Sequence, residues 1–217
     1  MSAGETKPTW VKVCGITNPA DARMAIDAGA DALGFNLWPG SKRFIDLQDN
    51  AGWMADLDPK IERIAVLVNA SMEEALRIAE TPAIHAVQFH GDETEGYLAE
   101  FARAGRPFIV ARRLAASEAN LGGLSLIRRI LIDAAVPGSY GGTGTTLDQD
   151  LAAGFVEAHP DHQVILAGGL DPLNVAAAIF RVRPFGVDVA SGVEANPRQK
   201  DEAKVRAFVA AARARST

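Results

Sequence analysis

The chain has 217 residues, 48% of them hydrophobic and 23% charged, and a formal net charge of −5. This composition is that of an ordinary globular domain and excludes a disordered chain, a collagen-like fibre and a simple coiled coil. Without a basic cluster no nucleic-acid partner is expected, and no unbroken apolar run exceeds six residues, where a membrane-spanning helix needs ~20.

Met1–Thr9 is polar and lacks the apolar stretch of a secretory signal. It reads as a flexible tail before one domain over 10–215, in a cytoplasmic protein. Strands are predicted at Trp10–Cys14, Ala32–Trp38, Arg63–Asn69, Ala86–His90, Phe108–Leu114, Arg129–Asp133, Gln163–Ala167 and Gly186–Ala190. Short continuous runs of Val, Ile, Leu and Phe suit strands buried on both faces of a parallel sheet. Helices are predicted at Ala20–Ala28, Gln48–Ala55, Ser71–Thr81, Thr94–Ala104, Asp148–His159, Leu173–Arg181 and Lys200–Arg213.

Local chemistry supports these boundaries. Asn18-Pro19 and Asp171-Pro172 place a capping side chain before a proline. Ser71 with Glu74 three residues later forms a capping-box pattern. Gly29 and Gly105 supply helix stops. Strict alternation of eight strands with about seven helices predicts a single-domain (βα)₈ barrel, with a doubly wound sheet as competitor. Gly122-Gly123 within Ser117–Arg128 predicts a short or missing fifth helix.

In such a barrel the chemistry sits at the C-terminal ends of the strands. The residues there are Cys14, Asn36, Asn69, His90, Arg112 or Arg113, Asp133, Gly168-Gly169, and Asp188 with Ser191-Gly192. Glycine turns after the seventh and eighth strands are a common phosphate site, because they expose backbone N–H groups beside a helix N-terminus; alternatively they are merely tight turns. Cys14 reads equally as an inert core residue or as a general base whose thiol is activated by a positive environment. Asp133 is either a structural carboxylate or, protonated, a general acid. Arg43 is either a solvated side chain or a carboxylate-binding fork. His90 with Asp92 is too sparse a donor set to predict a metal. Gly141–Gly144 lacks the order of a dinucleotide loop and reads as a lid.

A set of motifs then goes further. Lys12-Val-Cys-Gly-Ile-Thr17, Ala30-Asp-Ala-Leu-Gly-Phe35, Ser41-Lys-Arg43, Val87-Gln-Phe-His-Gly-Asp-Glu93, Leu131-Ile-Asp133, Gly141-Gly-Thr-Gly144, Leu166-Ala-Gly-Gly-Leu170 and Gly186-Val-Asp-Val-Ala-Ser-Gly-Val-Glu194 occur in order over about Trp10–Phe208. Together they resemble the phosphoribosylanthranilate isomerases, cofactor-free (βα)₈ barrels of tryptophan biosynthesis. The resemblance implies an Amadori rearrangement, with Cys14 as general base and Asp133 as general acid. Arg43 would hold the anthranilate carboxylate, His90 and Asp188 would line the cavity, and Gly168, Gly169, Ser191 and Gly192 would bind the substrate phosphate. It implies a small phosphorylated substrate, no metal, and a monomer or homodimer.

The chain departs from the family pattern in three places. Leu147 and Gln149 replace lid aromatics, Leu173 stands where Glu is common, and Ala190 stands where a serine is frequent. Two other readings are a paralogue isomerising another phosphorylated aminosugar, and a phosphosugar-binding barrel without catalysis.

Overall fold

The computed structural model describes residues 8–114, 126–133 and 148–214. Eight parallel strands close into one barrel in sequence order: β1 (Trp10–Cys14), β2 (Ala32–Asn36), β3 (Glu62–Leu67), β4 (Ala86–Phe89), β5 (Phe108–Arg113), β6 (Arg129–Asp133), β7 (Gln163–Leu166) and β8 (Gly186–Val189). Seven helices are described: α1 (Pro19–Asp27), α2 (Leu47–Ala55), α3 (Met72–Ala79), α4 (Glu95–Arg103), α5 (Gln149–Ala158), α6 (Val175–Val182) and α7 (Glu202–Arg213). The doubly wound alternative is excluded, because β8 pairs with β1 and leaves no edge. Residues 115–125, where the fifth helix was in question, and the glycine-rich stretch 141–144 lie outside the described residues.

The strand period of two divides the side chains between two cores. Trp10, Ala32, Ile64, Ala86, Ile109, Leu131 and Ile165 fill the barrel interior. Val11, Val13, Leu33, Val87, Ile130 and Val187 join the layer between barrel and helices. The interior is closed on the N-terminal side by Trp10, with Phe185 at 6.0 Å and the Arg129 guanidinium 5.5 Å from its ring centroid. Arg129 also pairs with Glu62.

The helix starts follow their caps. Asn18 Oδ1 accepts from the Asp21 N–H at 2.9 Å, with Pro19 opening α1. Ser71 Oγ accepts from the Glu74 N–H at 3.1 Å. Asp171 differs from expectation. Its carboxylate accepts from the Leu173 and Asn174 N–H groups and so shapes a turn, and α6 begins only at Val175. Leu173, predicted to be the first helical residue, is almost fully exposed.

A two-stranded hairpin that the sequence reading did not anticipate follows β8. A short 3₁₀ turn, Ser191–Val193, leads into β9 (Glu194–Asn196), which pairs antiparallel with β10 (Gln199–Lys200). The predicted seventh helix therefore starts two residues late, capped by Asp201. The hairpin is tied to the first βα loop. Thr17 Oγ1 donates to the Arg198 carbonyl, and the Lys200 N–H donates to Asp21 Oδ2, both at 3.0 Å.

Candidate active site

The C-terminal ends of the strands surround a cavity of about 770 Å³. Strands contribute Cys14, Asn36, Gln88, Asp133 and Asp188 to its wall, and His90 follows β4 directly. Loops add Arg43, Gly168, Gly169 and Ser191, and β9 adds Glu194. Every site residue that the resemblance implies lines this cavity except Gly192; of the other strand-end residues, Asn36 lines it and Asn69, Arg112 and Arg113 do not. A Cβ at Gly192 would overlap the Leu170 carbonyl oxygen. Glycine there lets the turn after β8 close against the turn after β7. In that second turn Gly168 and Gly169 both take positive φ, 87° and 65°, a conformation that favours glycine.

Lys12 and Cys14 stand two residues apart on β1, so both face the barrel interior. Lys12 has no exposed surface. Its Nζ donates to Asp188 Oδ1 at 3.0 Å and to Gln88 Oε1 at 2.9 Å. Burial alone would lower the Lys12 ammonium, but Asp188 and Cys14 outweigh it and hold it above its ordinary value. At Cys14 the balance goes the other way. Burial pushes the thiol up, Asp188 adds to this, and Lys12 and Lys200 oppose it without reversing it. The positive environment that activation of the thiol would need is present in Lys12 and Lys200, but burial outweighs it. Gly34 provides the space for it, since a Cβ there would lie 2.6 Å from Cys14 Sγ and 3.0 Å from Lys12 Cε.

Asp133 and His90 meet on the far side of the mouth. β6 is separated from β1 by β7 and β8 in one direction and by four strands in the other. His90 Nε2 lies 3.4 Å from Asp133 Oδ2, and His90 Nδ1 lies 2.9 Å from Gln88 Nε2. A second hollow of about 390 Å³ opens from His90 and Asp133 towards Asp92, Glu93, Arg112 and Arg113.

The Arg43 guanidinium leans across Gly15, where a Cβ would overlap its Cδ. Its fork donates to both oxygens of Glu194, Nε to Oε1 at 2.6 Å and Nη2 to Oε2 at 2.7 Å. Lys200 Nζ adds a third contact to Glu194 Oε1 at 3.1 Å and donates to the Ala190 carbonyl at 3.0 Å. Burial would raise the Glu194 carboxyl, but Arg43 and Lys200 outweigh burial and hold it below its usual range. Burial lowers the Lys200 ammonium, with Glu194 opposing. Arg43 is thus a built part of the cavity wall and not a solvated side chain.

Four residues in this arrangement were missed from the sequence: Lys12, Gln88, Glu194 and Lys200. The first two had a signal, since Lys12 lies two positions before Cys14 and Gln88 two before His90, a spacing that shares a face along a strand. Glu194 closes a family motif and Lys200 has no signal, and nothing in the sequence shows that they meet, because they come together only through the hairpin. Among the described residues no group of three or more His, Cys, Asp or Glu could hold a metal ion.

Comparison with known proteins identifies the family and the fold. The family profile described as N-(5'phosphoribosyl)anthranilate (PRA) isomerase matches residues 11–211. The N-(5'-phosphoribosyl)anthranilate isomerase of Magnetococcus marinus is 42% identical over 206 residues, covering 94% of each chain. The crystal structure of phosphoribosyl anthranilate isomerase from Thermotoga maritima superposes with a TM-score of 0.83 at 36% identity, covering 94% of this chain and 98% of that one. Another, in complex with reduced 1-(o-carboxyphenylamino)-1-deoxyribulose 5-phosphate, gives 0.80 at 35% identity, with the same coverage. The chain belongs to the N-(5'-phosphoribosyl)anthranilate isomerase family.

Proposed function

We propose that this chain catalyses the Amadori rearrangement of N-(5-phosphoribosyl)anthranilate to 1-(2-carboxyphenylamino)-1-deoxyribulose 5-phosphate in tryptophan biosynthesis. The observation that carries the reading is one cavity lined by Cys14 and Asp133, from well-separated strands, with the glycine turns after β7 and β8 in the same wall. A relative holds a reduced carboxyphenylamino-deoxyribulose phosphate, a ligand with a carboxylate at one end and a phosphate at the other. Arg43, from the β2 side, would take the carboxylate. The turns at Gly168-Gly169 and Ser191, supported by Gly192, would take the phosphate through backbone N–H groups.

Asp133, protonated, would donate its proton to the furanose ring oxygen. The C1′–O bond breaks as the anilino nitrogen lone pair forms a C1′=N iminium. Cys14 Sγ, as thiolate, then removes the C2′ proton. The C–H electron pair becomes the C1′=C2′ bond, and the C=N pair returns to nitrogen, giving an enolamine. The enolamine tautomerises as the O2′ proton leaves and C1′ gains one. Atoms balance without a cofactor, and each positioned proton-transfer group contributes ~10²–10⁴-fold. Burial favours the thiol; the thiolate forms as the thiol proton passes to solvent, and Lys12, Lys200 and the cationic iminium beside Sγ stabilise it. His90 and Asp188 act at the wall, on Asp133 and Lys12 respectively. The reading implies a cytoplasmic enzyme working as a monomer or homodimer.

The test is the loss of anthranilate-type fluorescence when freshly made phosphoribosylanthranilate meets the purified chain without metal or nucleotide. Decay is expected with the wild type and not with Cys14→Ser. A folded wild type that leaves the fluorescence unchanged would overturn the reading.

A further inference from the structure

A continuous polar chain crosses the barrel mouth from β8 to β6. Asp188 Oδ1 accepts from Lys12 Nζ, and Lys12 Nζ also donates to Gln88 Oε1. Gln88 Nε2 faces His90 Nδ1, and His90 Nε2 faces Asp133 Oδ2. The polarity of this chain is set at one end. An ammonium can only donate, so the atom of Gln88 that faces Lys12 must be its carbonyl oxygen. The amide N–H₂ is therefore the group presented to His90, and it can only donate. Nδ1 of His90 must accept, which places the ring proton on Nε2, towards Asp133.

From this geometry we infer that Gln88 is a positioning residue that fixes His90 as the Nε2–H tautomer, a donor aimed at Asp133 Oδ2 that stabilises the carboxylate formed as the acid gives up its proton. The inference rests on Asp133 being the general acid of the proposed reaction. With Nε2 already protonated, His90 cannot accept the Asp133 proton there. It can only donate towards Oδ2, leaving Oδ1 to carry the acidic proton to the substrate ring oxygen. The opposite tautomer would offer an Nε2 lone pair 3.4 Å from the carboxyl, and that lone pair would compete with the substrate for the proton. The long Nε2–Oδ2 separation suits a contact that tightens when substrate fills the cavity. Gln88 is almost completely buried, so water does not replace its amide, and Lys12 prevents it from flipping.

Two variants separate this role from a merely structural one. Gln88→Glu keeps the shape and the Lys12 contact but turns an acceptor oxygen towards Nδ1, which demands a proton there. Gln88→Met removes both hydrogen bonds while keeping the volume. The chain has four histidines, so ¹⁵N-histidine long-range NMR correlations resolve the ring nitrogens, with His90 assigned by its loss in His90→Asn. The expected result is Nε2–H in the full-length wild type and protonated Nδ1 in Gln88→Glu. The kcat of Gln88→Glu should fall about 100-fold, the size of one proton-transfer contribution, while binding of inorganic phosphate is unchanged. A wild-type His90 protonated on Nδ1 overturns the inference. So does a Gln88→Glu enzyme whose tautomer flips while kcat stays near wild type, or a Gln88→Met enzyme with wild-type kcat. Asp133→Asn is assayed beside them. Turnover in that variant would remove the acid assignment itself, an outcome distinct from any change in the His90 tautomer.

Discussion

Arg43 and Glu194 face each other as two parallel forks, Nε to Oε1 at 2.6 Å and Nη2 to Oε2 at 2.7 Å, across 151 positions of sequence. Such bidentate pairs are strong and geometrically specific. Here the pair fixes the plane of the guanidinium at the cavity edge. A substrate carboxylate at Arg43 would meet the donors that Glu194 leaves, from a single direction. Arg43→Ala should therefore raise KM at least about tenfold, with a smaller effect on kcat, as expected for lost ground-state binding. Steady-state kinetics check this, and an unchanged KM would contradict the contact.

Glu194 also neutralises Lys200, whose side chain has no exposed surface. Removing one partner of a buried pair leaves an uncompensated charge, at a cost of about 3–5 kcal/mol. Glu194→Ala should lose stability of that order in urea titrations. The pH dependence has a definite sign. The Glu194 carboxyl is held low when folded, so its contribution is complete above the unfolded carboxylate value. It is lost as pH falls through the lower folded value. The variant should show a shallower loss of stability on acidification than the wild type.

Cys14 titrates above an ordinary thiol because burial pushes it up. At neutral pH the unliganded enzyme holds the thiol, and the thiolate grows as pH rises through that elevated value. Alkylation by iodoacetamide should be slow at pH 7 and should accelerate nearly tenfold per pH unit through pH 9, since only the thiolate reacts. A rate that levels off below pH 8 would show an activated thiol and contradict the balance of charges described.

Gly34 and Cys14 are register partners on adjacent strands. A Cβ at position 34 would stand 2.6 Å from Sγ and 3.1 Å from the Cys14 Cα, which is backbone and cannot swing away. Gly34→Ala should therefore cut kcat about 100-fold, because small displacements of a reacting group have effects of that size. Measured turnover beside a melting curve distinguishes displacement of the thiol from unfolding.

Gly192 supports the junction of the two turns proposed to hold the phosphate. Gly192→Ala forces the turn after β8 away from the Leu170 carbonyl. The expected outcome is weaker binding of inorganic phosphate, by about tenfold or more, roughly the value of one lost charge-assisted hydrogen bond. Titration calorimetry reads it directly, and unchanged affinity would place the phosphate elsewhere.

Much of this molecule is legible in the chain itself. All eight strands fall where short apolar β-rich runs predict them, because a parallel barrel buries both faces of every strand and leaves a continuous signature. The caps at Asn18 and Ser71 are local chemistry and read correctly. Asp171 misled because a side chain that closes an Asx turn and one that caps a helix have the same sequence signature. Cys14 and Asp133 stand out in the sequence because reactive groups at strand ends interrupt an otherwise apolar pattern, whereas Arg43, in a loop, is singled out only by the family motif.

What tertiary structure alone decided is which of these groups touch. The sequence determined the barrel, the residue types at its mouth and the family motifs. It could not show that Glu194 closes on Arg43, since that meeting depends on a hairpin too short to leave a periodic pattern. Nor could it show that Lys12, Gln88, His90 and Asp133 form one chain of contacts, since those residues lie on three strands brought together only by barrel closure. Even the state of Cys14 depended on the fold, for nearby cations favour the thiolate, but the depth of burial outweighs them. Local patterning is written in neighbouring residues; electrostatics and hydrogen-bond polarity are set by groups far apart in sequence that packing forces within about 3 Å of each other.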